Sequence, residues 1–314
     1  MNSEKIIDFM GKRSIAAFLS IALVVASIAA LSIKGLNFGL DFTGGTLVEL
    51  QFSEAPDIGE VRETLAETGY PNAIVVQFGS DTDLLVRMQN DSAALDADGN
   101  PVNVGQQIVE SLRAAGDAEV TLLRSEIIGA QIGDELANDG GLGMLAALAA
   151  VFLYVALRFQ MKFSVGALTA LIHDVIIVLG FFSILQLEFD LTVLAAVLAV
   201  VGYSLNDTIV VADRIRENFR MMRDTSPIEI VNVSLTQTLG RTLMTSGTTL
   251  LVLFALFIFG GELIHNFSTA LLVGIGVGTY SSIYVAATIL LLMNISKEDL
   301  MPPEKEGAEL DELP

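Results

Sequence analysis

Six apolar runs punctuate the chain: Ile15–Ile33, Gly140–Leu157, Phe163–Leu185, Leu191–Ala212, Gly240–Phe259 and Phe267–Met293. A helix rises about 1.5 Å per residue, so each run comes close to or exceeds the ~20 residues that cross a ~30 Å hydrocarbon core. The fifth boundary rests on that arithmetic, because its most apolar part, Thr249–Phe259, is too short by itself. Extending the helix back to Gly240 draws Arg241 into the membrane edge. The first run can also be read as a cleavable leader with a weak cleavage pattern at Ser27 and Ala29, but its length favours a span.

Between the first two runs the periodicity changes. A glycine-rich turn, Gly35–Thr46, is followed by strand-like alternation over Thr46–Phe52, and Asp57 with Glu60 marks a helix start before Val61 and Leu65. Two β-rich runs, Ala73–Phe78 and Asp83–Met88, precede a polar loop, Gln89–Pro101. A helical pattern over Val104–Ala115 and a strand over Ala118–Arg124 complete the order β-α-β-β-α-β, which predicts a ferredoxin-like unit. The fold class is therefore a polytopic α-helical membrane protein with six transmembrane helices and one α+β ferredoxin-like extracytoplasmic domain between the first and second spans. The chain divides into an N-terminus (1–14), a first span (15–33), the ferredoxin-like domain (34–139), a five-helix membrane region (140–293) and a disordered tail (294–314). Arg220–Leu239, with Pro227 and spaced apolar residues, is expected to be a separate helix lying at the interface.

Composition agrees with the pattern: 52% of residues are hydrophobic, 17% are charged and the mean hydropathy is +0.61. The absence of cysteine excludes disulfides and thiolate metal sites. The net charge of −20 argues against nucleic-acid binding. Much of the acid falls in Lys34–Leu136, which reads as an acidic solvated surface. Short loops set the orientation. Arg158, Lys162, Arg214, Arg216, Arg220 and Arg223 share a side with the N-terminus, whereas the loops 186–190 and 260–266 carry no lysine or arginine, so both termini are expected in the cytoplasm.

Polar residues inside the spans are the candidate chemistry, since ionisable groups in a bilayer are costly and usually face a polar interior. On a helix, Gly202, Tyr203, Asn206, Asp207 and Asp213 fall within one face of about 140°. Arg241 enters the fifth span from the same side, so a contact between Asp207 and Arg241 is geometrically open. Two readings follow. In one, the two residues are a fixed pair that sets helix register. In the other, burial and an approaching guanidinium act on the carboxylate in opposite senses, so helix movement and proton transfer become coupled. His173 and Asp174 form a second titratable pair, read as accessory proton carriers or as ordinary core groups, and Asp213 with Arg214 is expected to be a helix-end ion pair. No nucleophile and base constellation, phosphate loop, cofactor motif or metal-ligand spacing is present, which reads as a non-enzyme without cofactor.

Three motifs occur in order: Gly39-Leu40-Asp41-Phe42-Thr43-Gly44-Gly45 after the first span, Gly202–Asn218 in the fourth, and Ser234–Leu250 leading into the fifth. Together they resemble the SecD/SecF family of protein-export membrane proteins, on its SecF side, within the resistance-nodulation-division superfamily. The resemblance implies a multi-pass bacterial inner-membrane subunit that uses the proton-motive force in late-stage translocation of preproteins. It implies SecD, the SecYEG translocon and the translocating preprotein as partners, with YajC as a further candidate. It places the transport carboxylate at Asp207 and the membrane arginine at Arg241, with Asn206 beside them. The Gly39, Asp41, Gly44 and Gly45 signature would serve as a hinge.

Overall fold

The computed structural model describes residues 6–89, 104–116, 119–128, 130–222, 224–296 and 299. The expected polar loop over 90–101 and tail from 300 onward lie outside them. A 3-10 turn, Met10–Lys12, leads into α1 (Arg13–Ile33), and the polar block follows: β1 (Asn37–Phe38), α2 (Leu40–Thr43), β2 (Gly45–Phe52), α3 (Ile58–Glu67), β3 (Ile74–Phe78), β4 (Ser80–Gln89), α4 (Val104–Ala115) and β5 (Val120–Ile128). The rest is α5 (Ala130–Arg158), α6 (Met161–Leu185), β6 (Glu188–Phe189), α7 (Leu191–Met221), α8 (Pro227–Phe259) and α9 (Glu262–Leu292). Six of these helices, α1 and α5 to α9, are long and apolar enough to cross a membrane.

The domain between α1 and α5 is a four-stranded sheet of order β3-β4-β2-β5 with every neighbouring pair antiparallel. That is the ferredoxin-like arrangement. The two helices cover one face and close a core of Val48, Leu50, Leu65, Val86, Ile108 and Val120, all fully buried. Alternation along β2 explains the division, because Val48 and Leu50 point inward while Gln51 remains exposed. Asp57 caps α3, accepting from the Gly59 and Glu60 amides.

The membrane bundle packs α9 against α6, α7 and α8, and sets α1 against α6 and α9. Glycine permits the closest approaches. A Cβ on Gly180 of α6 would lie 2.2 Å from Ser27 Cβ of α1, and one on Gly274 of α9 would lie 2.2 Å from a Val200 methyl of α7. Small residues at such crossings let helices gain van der Waals contact where the bilayer offers no hydrophobic drive.

The expected interfacial helix is not a separate element: Pro227 begins α8, which runs unbroken for 33 residues to Phe259. Proline at the first helical position loses no hydrogen bond, and Ser226 caps the end by accepting from the Glu229 amide at 3.3 Å. One further connection joins the two regions. Strand β1 pairs in parallel with β6, tying the chain after α1 to the loop between α6 and α7.

Candidate functional site: two buried aspartates and the joint above them

Asp207 lies in α7 and is 2% exposed. Its Oδ2 accepts from Ser246 Oγ of α8 at 3.3 Å, and Ser246 in turn bonds Thr279 Oγ1 of α9 at 2.8 Å. The site therefore draws on three helices. Arg241 of α8 acts on Asp207 through its charge, yet among the described residues no ion pair joins them. Asn206 and Arg241 are both exposed, so the polar face of α7 and α8 opens outward from this chain. Gly202 and Asp213 are exposed on it as well, whereas Asp207 turns inward.

Toward the end of the bundle that holds the termini, a cavity of about 260 Å³ is lined by Arg158, Asp213, Arg214, Glu217, Gln237 and Arg241, with Ile209 and Val210 at its inner side. Asp213 does not pair with Arg214. It accepts from Arg216 at 2.7 Å while Arg214 donates to Glu217 at 2.9 Å. Both contacts are i,i+3, so they follow the helical repeat, whereas adjacent residues diverge by about 100°. Arg216 also stands over the Phe159 ring, 5.3 Å from its centroid.

The second aspartate, Asp174 of α6, is 1% exposed and fully engaged. His173 Nδ1 lies 2.9 Å from Oδ1, and Ser204 of α7 and Ser281 of α9 donate to Oδ2 at 2.6 and 2.7 Å. Neither serine stood out in the sequence, because their common partner lies 30 and 107 residues away. His173 stacks on Tyr280, whose hydroxyl donates to the Ala16 carbonyl of α1 at 2.8 Å.

The glycine signature sits where the ferredoxin-like domain meets the bundle. Asp41 Oδ2 accepts from the Leu191 amide at 3.1 Å, so the motif caps the helix that carries Asp207. Gly39 donates to the Phe189 carbonyl at 2.9 Å, and a side chain there would strike Glu188. Gly44 and Gly45 have φ of +71° and +155°, and a Cβ on Gly45 would lie 2.2 Å from the Met88 carbonyl oxygen. Arg87 of β4 reaches Glu188 at 3.2 Å, a direct ion pair between the domain and the membrane region. Burial raises the Glu188 carboxyl above its ordinary range, outweighing the opposite pull of Arg87.

Six membrane-length helices, a ferredoxin-like domain after the first and an aspartate buried beside an exposed arginine define a polytopic membrane protein with an ionisable intramembrane site. The family model for protein export membrane protein SecD/SecF, C-terminal, matches residues 107–296, and that for the SecD/SecF GG motif matches residues 29–56. Proteins named protein translocase subunit SecF are 51% identical in Vibrio alginolyticus, over 100% of this chain and 99% of that one, and 48% identical in Pseudomonas aeruginosa, over 98% of both. The crystal structure of SecDF from Thermus thermophilus, described as a translocon-associated membrane protein, superposes with a TM-score of 0.78 at 38% identity. That match covers 94% of this chain and 39% of the SecDF chain. The chain belongs to the SecD/SecF family of protein-export membrane proteins.

Proposed function

We propose that this chain is the SecF-type accessory subunit of a Sec export machine and couples proton movement through the membrane to a late step of preprotein translocation. The observation that carries the reading is the contrast at Asp207: a carboxylate buried inside a membrane helix, held by a long serine contact and by the side chain of the exposed Asn206, with an arginine nearby on the adjoining helix that makes no ion pair among the described residues. Asp174, on the neighbouring helix, is held by three contacts of 2.6 to 2.9 Å, and an ionisable residue in a bilayer marks a functional site by default. The names of the relatives and the likeness to SecDF support the export role. Because this chain spans 39% of the SecDF chain, a SecD subunit is the natural source of the remainder. The exposed face of Asn206 and Arg241 is where it would close the site, with SecYEG, YajC and the preprotein as further partners.

In this scheme both termini are cytoplasmic and the ferredoxin-like domain faces the outside, in agreement with the basic residues along the end of α7. Water in the cavity beside Arg214, Gln237 and Arg241 would bring protons to the level of Ile209 and Val210, within one turn of Asp207. Neutralisation of Asp207 would release Arg241, and ionisation would draw it back, so α7 and α8 would alternate between two arrangements. Asp41 would transmit a shift of α7 to the Gly39–Gly45 hinge and thereby to the outer domain. His173 and Asp174 would act as accessory groups on the same helix junction.

The test is proton flux and late-stage export in vesicles holding the reconstituted complex, per assembled complex. Asp207→Asn should abolish both while the complex assembles normally, and Arg241→Met should impair both. Unchanged flux and export in the Asp207 variant would overturn the coupling; loss of assembly with a normal rate per complex would make the residue structural.

A further inference from the structure

A groove of about 370 Å³ runs between α1, α6 and α9. Ala17, Ile21 and Val25 form one wall, Ile172 and Ile176 a second, and Thr288 part of the third. From Ala16 to Val25 the lining follows α1 for ~14 Å, about half of a ~30 Å hydrocarbon core. The groove therefore occupies one leaflet, the one on the side of the termini, and His173 lies on its wall.

Its lining suits an acyl chain: Ala17, Ile21, Val25, Ile172 and Ile176 present hydrocarbon along ~14 Å of α1. Position points the same way. The groove is built on α1, which packs on α6 and α9, whereas the exposed polar residues that a partner subunit would cover, Asn206 and Arg241, lie on α7 and α8.

The mouth supplies the headgroup chemistry. Arg13 precedes Ala16 and Ala17 by three and four residues, so it stands one turn above the lining on the same face of α1, next to Lys12. Neither cation makes an ion pair among the described residues. Asp8 is held in place through its Oδ1, which accepts from the Gly11 amide at 2.8 Å and from Asn232 at 2.9 Å, and its single charge leaves the two cations in excess. In a chain of net charge −20, two cations at the end of an apolar groove make a matched site for a phosphate on a hydrocarbon tail.

We propose that the α1–α6–α9 groove binds one acyl chain of an anionic glycerophospholipid from the leaflet on the side of the termini, with the headgroup phosphate held by Lys12 and Arg13. Native mass spectrometry of the full-length chain tests this, using phosphatidylglycerol and phosphatidylcholine of identical acyl composition. Phosphatidylglycerol should be retained preferentially, and Lys12→Gln and Arg13→Gln should each lower that preference by about fivefold. Ala17→Phe and Thr288→Phe, which fill the groove from two different helices, should reduce retention of both lipids, with thermal unfolding checking that each variant is folded. Equal retention of the two lipids by the unaltered chain, or undiminished retention in a folded groove-filled variant, would overturn the proposal. So would a photo-crosslinker at position 21 that captures protein instead of lipid in native membranes, a readout that stands even where a filling variant does not fold.

Discussion

Asp174 and Asp207 are buried on neighbouring helices of one bundle and are held in opposite ways. Asp174 has both oxygens occupied, by His173 on one and by Ser204 and Ser281 on the other, at 2.6 to 2.9 Å. Asp207 has the 3.3 Å bond from Ser246, a side-chain interaction with the exposed Asn206 and the charge of Arg241 close by. A fully engaged carboxylate fixes the crossing of α6, α7 and α9 and resists change. One with spare hydrogen-bonding capacity, beside the exposed Asn206 and Arg241, is free to exchange partners. In the same bundle, the degree of satisfaction separates a group that sets the architecture from one that keeps capacity for exchange, the property the proposed proton coupling requires.

Stability measurements give the sharpest test of that difference. Asp174→Ala strands His173 and Ser204 and leaves Ser281 its 3.1 Å bond to the Gly278 carbonyl, and each buried polar group left without a partner costs about 1–3 kcal/mol. Asp207→Ala strands Ser246, which keeps its contact with Thr279, so its cost should stay within about 1 kcal/mol. Unfolding of both variants in detergent micelles decides the matter, and equal costs would break the comparison.

Two glycine substitutions ask how far the tight region extends. Gly180→Val would drive α1 from α6 at Ser27 and should cost about 1–3 kcal/mol by overpacking, with no direct effect on either aspartate. Gly278→Ala is milder, because its Cβ would meet Ser204 Cβ at 3.0 Å and Asp174 Oδ2 at 3.5 Å. It should cost about 1 kcal/mol. Combined with Ser204→Gly its cost should fall, since the Cβ that resists it is removed. Additive costs in the double variant would mean that the cage around Asp174 is looser than its short bonds indicate.

The spans, the ferredoxin-like strand order and Asp207 were legible in the sequence because each writes a local signal: a long apolar run, alternation between inward Val48 and Leu50 and exposed Gln51, or a carboxylate set in hydrocarbon. What was hidden depends on long-range pairing or on helical phase. Asn37–Phe38 meets Glu188–Phe189 across 151 positions, and two-residue strands have no periodicity to detect. Pro227 suggested a break but initiates a continuous helix, since the signal for a turn and for a first helical residue is the same proline. Asp213 pairs three residues on, with Arg216, because adjacent side chains on a helix point apart.

Glu188 offers the smallest effect and an intermediate case between the two aspartates. It is partly buried, paired with Arg87 at 3.2 Å, and its carboxyl titrates above the ordinary value of 4.5 because burial outweighs the guanidinium. With the folded value raised, the stabilising contribution belongs to the protonated form: it is present in full below pH 4.5 and is lost as pH rises through the higher folded value. Glu188→Gln fixes the neutral form. The variant should therefore lack that loss on raising the pH, and at neutral pH its stability should lie within about 1 kcal/mol of the parent, the exchange of a partly exposed ion pair for a neutral hydrogen bond. Unfolding followed from pH 4 upward distinguishes the outcomes. A variant that falls behind its parent as pH rises would show that Arg87 dominates, making Glu188 a tightly held carboxylate like Asp174 and the joint between the outer domain and the bundle a rigid clamp.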